Sequence, residues 1–210
     1  MQTKKGDFVE IKFVGRLDDG TIFDLNDKET AKKENVRGHF HDKTVVCLGE
    51  RDVVEGLDES LMDNEIGKKF TITVSPEKGI GKKDAQMFHM IPHKKFVEHK
   101  INPVPGLQVD IDNMIGVVKS ISGGRVLIDF NHPLAGRTLQ YEVTITKKVD
   151  DVAEKVSGFL ETTLHMHKVH VEAKEGTVTI KAELPNEAQS FLEEKIKRRV
   201  PEVKAVQFQK

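Results

Sequence analysis

The sequence predicts an α+β protein in which an antiparallel sheet wraps on one short helix. Three observations lead to this prediction. Apolar residues alternate with a strand-like period of two near both ends of the first 148 positions, and a proline-punctuated stretch separates those ends. A helix–strand–strand–helix–strand pattern then follows. We therefore expect a sheet domain interrupted by a small all-β insertion and followed by a small α/β domain.

The first strands follow from apolar alternation at residues 8–14. Asp19-Gly20 then marks a tight turn, so residues 22–24 are expected to begin a returning strand. The polar stretch 25–43 predicts a long surface loop, which at this length is typical of a functional or mobile segment.

The rest of the first domain needs one helix and three more strands. Val54, Leu57 and Leu61 recur at helical spacing, which predicts a helix within residues 53–62. Residues 44–48, 70–74 and 139–145 have strand-like patterns. The interrupted domain therefore comprises residues 1–83 and 131–148.

Residues 84–130 differ from the flanking segments in their prolines and in the shortness of their apolar runs. Pro92, Pro103 and Pro105 punctuate the first half, and short strands are expected near 109–111, 115–121 and 125–130. Gly123-Gly124 predicts a hairpin between the last two strands. Because loops of this length are uncommon inside compact domains, the segment is predicted to be an inserted domain.

The C-terminal segment, residues 149–210, predicts the order α-β-β-α-β. About sixty residues make a marginal core, so we expect this unit to pack on another unit or on a second copy, with self-association as a homodimer as its role. The basic run from Lys195 to Arg199 is expected to cap the second helix and to be solvated.

Composition excludes several classes of partner. The 33 basic and 34 acidic residues of this 210-residue chain leave a net charge of −1, which argues against nucleic-acid or membrane partners held by bulk electrostatics. No signal-like segment or membrane span is predicted, so we expect a cytoplasmic protein. The single cysteine, Cys47, fits a reducing compartment and is expected to be a small buried hydrophobe.

Several separated motifs, in this order, resemble the FKBP-type peptidyl-prolyl isomerases over about residues 4–148, with an insertion similar to that of the SlyD-like subgroup. Together with the C-terminal extension, the whole resembles the long archaeal type. The motifs are Phe13-Val14-Gly15, Asp19-Gly20-Thr21-Ile22-Phe23-Asp24, Leu48-Gly49, Val53-Val54-Glu55-Gly56-Leu57, Gly79-Ile80-Gly81, Asn131-His132-Pro133-Leu134-Ala135-Gly136 and Leu139-Gln140-Tyr141.

The resemblance implies an apolar pocket with one buried carboxylate, in which an X-Pro bond rotates without a nucleophile, metal or cofactor. Leu57 would form its floor, Val53 and Val54 its wall, and the Val54 amide would hold a substrate carbonyl. Asp24 would polarise the rotating amide without transferring a proton. The implied catalytic residues are Phe23, Asp24, Val54, Leu57 and Tyr141, and the implied pocket-lining residues are Phe13, Val53 and Ile80.

Three positions depart from the family's common pattern. Phe13 and Ile80 stand where tyrosines are frequent, and Leu57 replaces a tryptophan of the inhibitor-sensitive members. These changes bear on inhibitor affinity and catalytic strength, and the apolar character of the pocket is kept.

The insertion is expected to capture unfolded or proline-containing polypeptides beside the pocket. It is rich in apolar side chains for its size, and methionine suits promiscuous contacts because it repacks at little cost. The residues expected to bind such substrates are Met90, Ile91, Phe96, Ile101, Val104 and Leu107, together with Met87 as a further apolar group.

Two alternative functions stay open at this stage. One is a chaperone whose prolyl pocket is vestigial. The other is a metal-delivery protein, suggested by the histidine groups 39–41 and 165–170, although neither group has a helical i,i+4 pair or a cysteine partner. Solvated or packing histidines are the favoured interpretation, and His132 is expected to order the domain connection.

Overall fold

The structure is a computed structural model that describes residues 2–36, 44–166 and 169–209. It divides into two compact units, one formed by Met1–Gly79 with Thr138–Lys210 and the other by Ile80–Arg137. The C-terminal segment thus clusters with the first unit, and the inserted unit begins a few residues earlier and ends a few residues later than residues 84–130.

Twelve strands and five α-helices are present in the described residues. The strands are β1 (Phe8–Leu17), β2 (Ile22–Leu25), β3 (Thr44–Cys47), β4 (Lys69–Val74), β5 (Phe88–Pro92), β6 (Gln108–Ile111), β7 (Met114–Ser122), β8 (Arg125–Asp129), β9 (Leu139–Lys148), β10 (His170–Lys174), β11 (Thr177–Lys181) and β12 (Ala205–Gln209). The helices are α1 (Lys28–Lys33), α2 (Glu55–Leu61), α3 (His93–Glu98), α4 (Val152–Leu164) and α5 (Asn186–Arg199).

The main sheet of the first unit has the order β2-β1-β9-β4, with β3 also paired to β1. Every pairing is antiparallel. Because side chains alternate along a strand, Phe13 and Gly15 of β1 point to one face of the sheet and Phe8 and Val14 point to the other. The two faces are covered by different helices.

Helix α2 covers the face that carries Phe13. A Cβ built on Gly56 would lie 2.7 Å from Cγ1 of Val74, so the helix lies directly against β4. Leu57 and Leu61 on this helix are 2% and 0% exposed. Helix α2 confirms the helix predicted within residues 53–62. Its buried leucines form part of the core between the helix and the sheet.

The opposite face is covered by α1 and α4. Ala31 of α1 packs with Val14 and Leu25. This helix corrects the prediction of a loop over residues 25–43, at least for its first part: Asp27 caps the helix by accepting a hydrogen bond from the Glu29 amide. Residues 37–43 lie outside the described residues.

Helix α4 approaches β3 very closely. A Cβ on Gly158 would lie 2.5 Å from Cβ of Val45, and the Thr162 hydroxyl donates to the Val45 carbonyl at 3.0 Å. Cys47 is 2% exposed in the same cluster, as predicted, and burial followed by the charge of Asp52 raises the pKa of its thiol to about 12. The buried members of this cluster are Phe8, Val45, Cys47, Val149, Val156, Phe159, Leu160, Val178, Ile180, Leu192, Ile196, Val200 and Val203.

The C-terminal segment has the predicted order α-β-β-α-β, as α4-β10-β11-α5-β12. Its three-stranded sheet is β10-β11-β12, with an antiparallel first pair and a parallel second pair. Since its core is continuous with Phe8, Val45 and Cys47, much of its apolar surface is buried within the chain itself.

The inserted unit is a four-stranded antiparallel sheet of order β5-β8-β7-β6. The predicted hairpin is present: Ser122 pairs with Arg125, and Gly123 and Gly124 have φ of 56° and 72°. Two consecutive positive φ values define the tight turn that matches strand twist. Strand β5 and helix α3 were not predicted, so the insertion carries a short helix in addition to its strands.

We expect Gly158→Ala to lower the free energy of unfolding by about 1–3 kcal/mol, although alanine has the higher helix propensity by about 1 kcal/mol. The new methyl group has to displace the buried Val45 side chain. Chemical denaturation monitored by circular dichroism would measure the change. Ser157→Ala, which adds no atom to the same helix, is the control, and an increase in stability for Gly158→Ala would contradict the close approach.

Candidate functional site

Four of the site residues expected from the sequence meet on the face of the main sheet that α2 covers. Asp24 pairs with Gly15, Gly15 with Tyr141 and Tyr141 with Ile72, which makes one continuous row across β2, β1, β9 and β4. Directly opposed residues share a face of the sheet. Val74, which packs on α2, lies two residues after Ile72 and therefore on that face too.

A β-bulge places Phe23 over this row. Gly15 and Arg16 are consecutive, but their partners Asp24 and Ile22 are two positions apart, so Phe23 is the additional residue of β2. A bulge redirects side chains and increases local twist. Cζ of the Phe23 ring would lie 2.7 Å from a Cβ on Gly15, so the ring occupies the space that any larger residue there would need.

The aromatic rings form a cluster around Tyr141. Its ring centroid is 6.1 Å from that of Phe13 and 5.5 Å from that of Phe23, with interplanar angles of 63° and 86°. These edge-to-face arrangements are the favourable ones for aromatic pairs. Phe13 and Tyr141 are 9% and 5% exposed, whereas Phe23 is only partly buried. The cluster is therefore apolar and reaches the surface at Phe23.

Asn26, which follows β2, holds β1 in place beneath these rings through hydrogen bonds. Asn26 is 3% exposed, and its Oδ1 accepts a hydrogen bond from the Phe13 amide at 2.6 Å. Its Nδ2 donates to the Ile11 carbonyl and to the Thr44 hydroxyl, both at 2.8 Å. One side chain thus joins β1 to the start of β3 beside Phe13, a role that the sequence pattern did not indicate.

Asp24 is exposed, which corrects the expectation of a buried carboxylate. The physical reason is its position on β2, an edge strand of the sheet. It still acts on the aromatic cluster, because burial first, and then the charge of Asp24, raises the pKa of the Tyr141 hydroxyl. The phenol is therefore neutral across the physiological range and is able to donate a hydrogen bond.

Three further predicted residues lie at the start of α2. Val54 is the N-cap of the helix, Val53 precedes it, and both are partly buried, while Leu57 is buried. The Val54 carbonyl accepts from the amides of Leu57 and Asp58 at 2.9 and 3.0 Å. These bonds begin the helix at Val54 and place Val53 and Val54 just before its first turn.

Two carboxylates hold the segment that leads into α2. Asp58 is 4% exposed, and its two oxygens accept from the amides of Gly49 and Arg51, each at 2.9 Å. Asp52 accepts from the Cys47 amide at 2.8 Å and pairs with Arg199. The Arg199 side chain is only 7% exposed, which corrects the expectation that the whole basic run at the end of α5 is solvated.

In the inserted unit, Asn131 joins the incoming and outgoing chain. Its side chain accepts from the Asp84 amide at 2.7 Å and donates to the Asp84 carbonyl at 3.1 Å and to Asp129 at 2.8 Å. Lys83 also donates to Asp129, at 2.6 Å. His132, which was expected to order this connection, accepts a hydrogen bond from the Leu134 amide at 3.1 Å.

The structure separates the apolar residues of the insertion into core and surface. Phe96 is 4% exposed and belongs to the core with Val126 and Ile128, so its predicted contact with substrates is wrong. The helix α3 turns it inward, and Met87, Ile91 and Leu107 are partly buried against the same core. The exposed apolar residues are Met90 at 64%, Val97 at 57%, Ile101 at 40%, Val104 at 49%, Met114 at 40%, Ile115 at 62% and Ile121 at 38%.

Strand register places Met90 and Ile115, two of these exposed side chains, on one face of the sheet together with the partly buried Val117 and Leu127. Met90 pairs with Leu127, and Val117 pairs with Asp129, two residues further along β8. Ile115 lies two residues before Val117 and shares its face. We call Met90, Ile115, Val117 and Leu127 the outer sheet face. Ile80, the remaining predicted site residue, is the first residue of this unit and is 38% exposed.

Within the described residues, no three His, Cys, Asp or Glu side chains are grouped as metal ligands. His39, His41 and His167 lie outside the described residues, so the two predicted histidine groups are described only through His165 and His170. His170 contacts Glu172 at 2.7 Å. In the same described part of the chain, no helix has the length and apolar character that crossing a membrane requires.

Comparison with known proteins agrees with this architecture. The family model "FKBP-type peptidyl-prolyl cis-trans isomerase" matches residues 1–102, and the model "FKBP26, IF domain" matches residues 89–134. A short-type peptidyl-prolyl cis-trans isomerase of Methanocaldococcus jannaschii is 27% identical over 144 residues, which cover 68% of this chain and 91% of that protein.

Two bacterial relatives extend the comparison. A probable FKBP-type 16 kDa peptidyl-prolyl cis-trans isomerase of Pseudomonas fluorescens is 33% identical over 103 residues, covering 47% of this chain and 67% of that protein. The FKBP-type isomerase SlyD of Haemophilus influenzae is 28% identical over 174 residues, covering 81% and 82%. The chain belongs to the FKBP-type peptidyl-prolyl cis-trans isomerase family.

We expect Gly15→Ala to displace the Phe23 ring, because the new methyl group would occupy its position. The nuclear Overhauser effects between the Phe23 and Tyr141 rings should weaken or vanish in the variant. Lys12→Ala, an exposed position on the other face of β1, serves as the control. Unchanged contacts between the two rings in Gly15→Ala would show that the bulge does not seat Phe23 as described.

Proposed function

We propose that the chain rotates X-Pro bonds at the aromatic cluster and captures unfolded polypeptides on its inserted unit. The observation that carries the proposal is the convergence of Phe13, Phe23, Asp24 and Tyr141 on the face of the sheet that α2 covers. Family membership supports the isomerase activity, and the exposed apolar residues of the insertion support capture.

The chemistry requires no covalent step. Rotation about the peptide bond has a barrier of about 18–20 kcal/mol because resonance stabilises the planar amide. The twisted transition state has lost that resonance and carries less charge on its carbonyl oxygen, so an apolar site disfavours the planar form more than the twisted form. Each 1.36 kcal/mol of this preference gives about a tenfold increase in rate.

Each site residue has a distinct role in this proposal. Leu57 forms the floor under the proline ring, Val53 and Val54 form the wall, and the Val54 amide donates to a substrate carbonyl. Phe13 and Phe23 supply apolar surface, and the neutral Tyr141 hydroxyl donates a hydrogen bond. Ile80 is assigned to substrate contact because of its motif and its exposure.

The exposure of Asp24 changes how its charge acts. An exposed carboxylate is screened by water, so its field is weaker than that of a buried one. Once a substrate covers Asp24, water leaves and the field on the rotating amide strengthens. We therefore propose that Asp24 polarises the bound substrate from the rim of the site and transfers no proton.

The capture surface comprises the outer sheet face together with Val97, Ile101 and Val104. Large exposed apolar groups on a protein surface mark interaction sites, and Met90 is the most exposed of this set. Holding an unfolded chain in the same molecule as the isomerase site raises the effective concentration of its X-Pro bonds there. Proline-containing, unfolded polypeptides are therefore the proposed substrates.

Two further proposals concern the setting of the protein. The reduced, buried Cys47 supports a cytoplasmic location. Self-association through residues 149–210 stays a prediction. Phe191 on α5 is 52% exposed and supports it, whereas the apolar cluster shared with Phe8 and Val45 already satisfies the need of this segment for a packing partner.

We expect Asp24→Asn to lower kcat/KM for a proline tetrapeptide by about tenfold, because the substitution removes the charge and keeps the shape of the side chain. A protease-coupled isomerisation assay measures this rate. Asp18→Asn, an exposed carboxylate of the β1–β2 turn, is the matched control. A chain that suppresses aggregation but has no measurable isomerase activity would instead establish the chaperone with a vestigial pocket.

We expect the double substitution Met90→Ser and Ile115→Ser to slow the proline-limited refolding of a protein substrate while leaving tetrapeptide isomerisation unchanged. Both side chains are more than 60% exposed, so the fold of the insertion should be kept. Lys94→Ser with Gln108→Ser, two exposed polar positions of the same unit, is the control. Equal losses on both substrates would contradict the separation of capture from catalysis.

A further inference from the structure

Arg199, the last residue of α5, is a buried cation far along the chain from the isomerase site. Its side chain is 7% exposed, its guanidinium lies 4.6 Å from the centre of the Phe159 ring, and it pairs with Asp52. Arg198, its neighbour, is 56% exposed and pairs with Glu50 at 2.5 Å. Arg199 also lies 3.6 Å from the Glu50 carboxylate, so both arginines contact the segment around Asp52, Arg199 from a buried position and Arg198 from an exposed one.

Asp52 uses both carboxylate oxygens. Its Oδ2 accepts from the Cys47 amide at 2.8 Å, and its Oδ1 accepts from the Thr163 hydroxyl at 2.9 Å and from Arg199. The side chain of Asp52 is 1% exposed. Residue 52 is thus held from β3, α4 and α5 at once.

The residues that follow Asp52 are the proposed wall of the prolyl site. Val53 comes next, and Val54 is the N-cap of α2. On the other side of Asp52, the amides of Gly49 and Arg51 donate to Asp58, and Arg51 has a φ of 58°, which is uncommon for a non-glycine residue. The path of the chain into the wall is therefore set by two carboxylates, one of which depends on Arg199.

Stability alone is a weak reason for this buried pair. Desolvating two charges costs several kcal/mol per ion, and well-packed apolar residues of the same volume are often at least as stabilising. A pair with several directional hydrogen bonds does fix geometry, because each contact restrains one atom. The apolar side chains of Val53 and Val54 cannot form hydrogen bonds. Their positions therefore depend on the backbone of the segment that Asp52 and Asp58 hold.

We infer that Arg199 and Asp52 are positioning residues for the isomerase site, so that the C-terminal segment sets the position of the Val53–Val54 wall. The inference rests on the proposed function, since it assigns a determinant to the same site. Because a misplacement of about 1 Å in a catalytic group lowers rates strongly, loss of the pair should reduce activity more than it reduces binding of unfolded protein.

The test uses Arg199→Met in the full chain, with Arg198→Met as the matched control and Arg199→Lys as the conservative variant. We expect kcat/KM for a proline tetrapeptide to fall about tenfold in Arg199→Met, to fall less in Arg199→Lys and to stay at the wild-type value in Arg198→Met. The backbone amide resonances of Val53 and Val54 should shift most in Arg199→Met, less in Arg199→Lys and not at all in Arg198→Met. Rates are measured well below the unfolding temperature of each variant.

A purely structural role would give a different result. If Arg199→Met lowered the unfolding temperature but kept kcat/KM and the Val53 and Val54 resonances, the inference would be overturned. An inactive wild-type chain would instead remove the proposed function, while the resonance shifts would still report on positioning. Should Arg199→Met not fold, Thr163→Val removes one contact to Asp52 without stranding a charge, and unchanged Val53 and Val54 resonances in that variant would overturn the inference.

Discussion

Backbone amides bonded to two buried carboxylates govern how the chain enters helix α2. Asp58 accepts from Gly49 and Arg51, and Asp52 accepts from Cys47. A buried amide without an acceptor costs about 1–3 kcal/mol, and a charged acceptor forms a stronger bond than a neutral one. The segment between β3 and α2 therefore adopts one path although it has no regular secondary structure. The helix and the proposed prolyl wall depend on that path.

The main sheet uses its two faces for different purposes. The face with Phe13, Phe23 and Tyr141 holds aromatic rings and α2, whereas the face with Phe8 and Val45 is covered by α4. Apolar side chains on both faces of the sheet are therefore confined by packing. The C-terminal segment thus acts as the second layer of the isomerase unit, which its sequence pattern alone did not distinguish from an independent domain.

Most of the fold could be predicted from the sequence where local pattern decides it. The alternation in β1 and β9, the helical spacing around Leu57 and the glycine pair of the β7–β8 hairpin all depend on near neighbours. The motif residues Phe13, Phe23, Asp24 and Tyr141 lie together because the register of β2, β1 and β9 brings them to one face of the sheet.

What escaped prediction depends on distant partners. Phe23 reaches the ring cluster through a bulge, and the exposure of Asp24 follows from its edge strand; neither is encoded by the two residues themselves. Phe96 is indistinguishable in sequence from an exposed apolar residue until α3 turns it inward. Arg199 ends a basic run, and its contacts with Asp52, Thr163 and Phe159 separate it from Arg198, which is 56% exposed.

The Asn131 junction has an evolutionary consequence. The Gly136 amide donates to the Gly81 carbonyl at 2.8 Å, and Asn131 bonds to Asp84 from both ends of its amide group. The inserted unit thus starts and finishes at nearly the same point in space. A host chain can acquire, lose or exchange such a cassette with a bridge of a few residues, because closing that short gap costs little conformational entropy. The proposed capture surface can therefore diversify while the rest of the chain stays as it is.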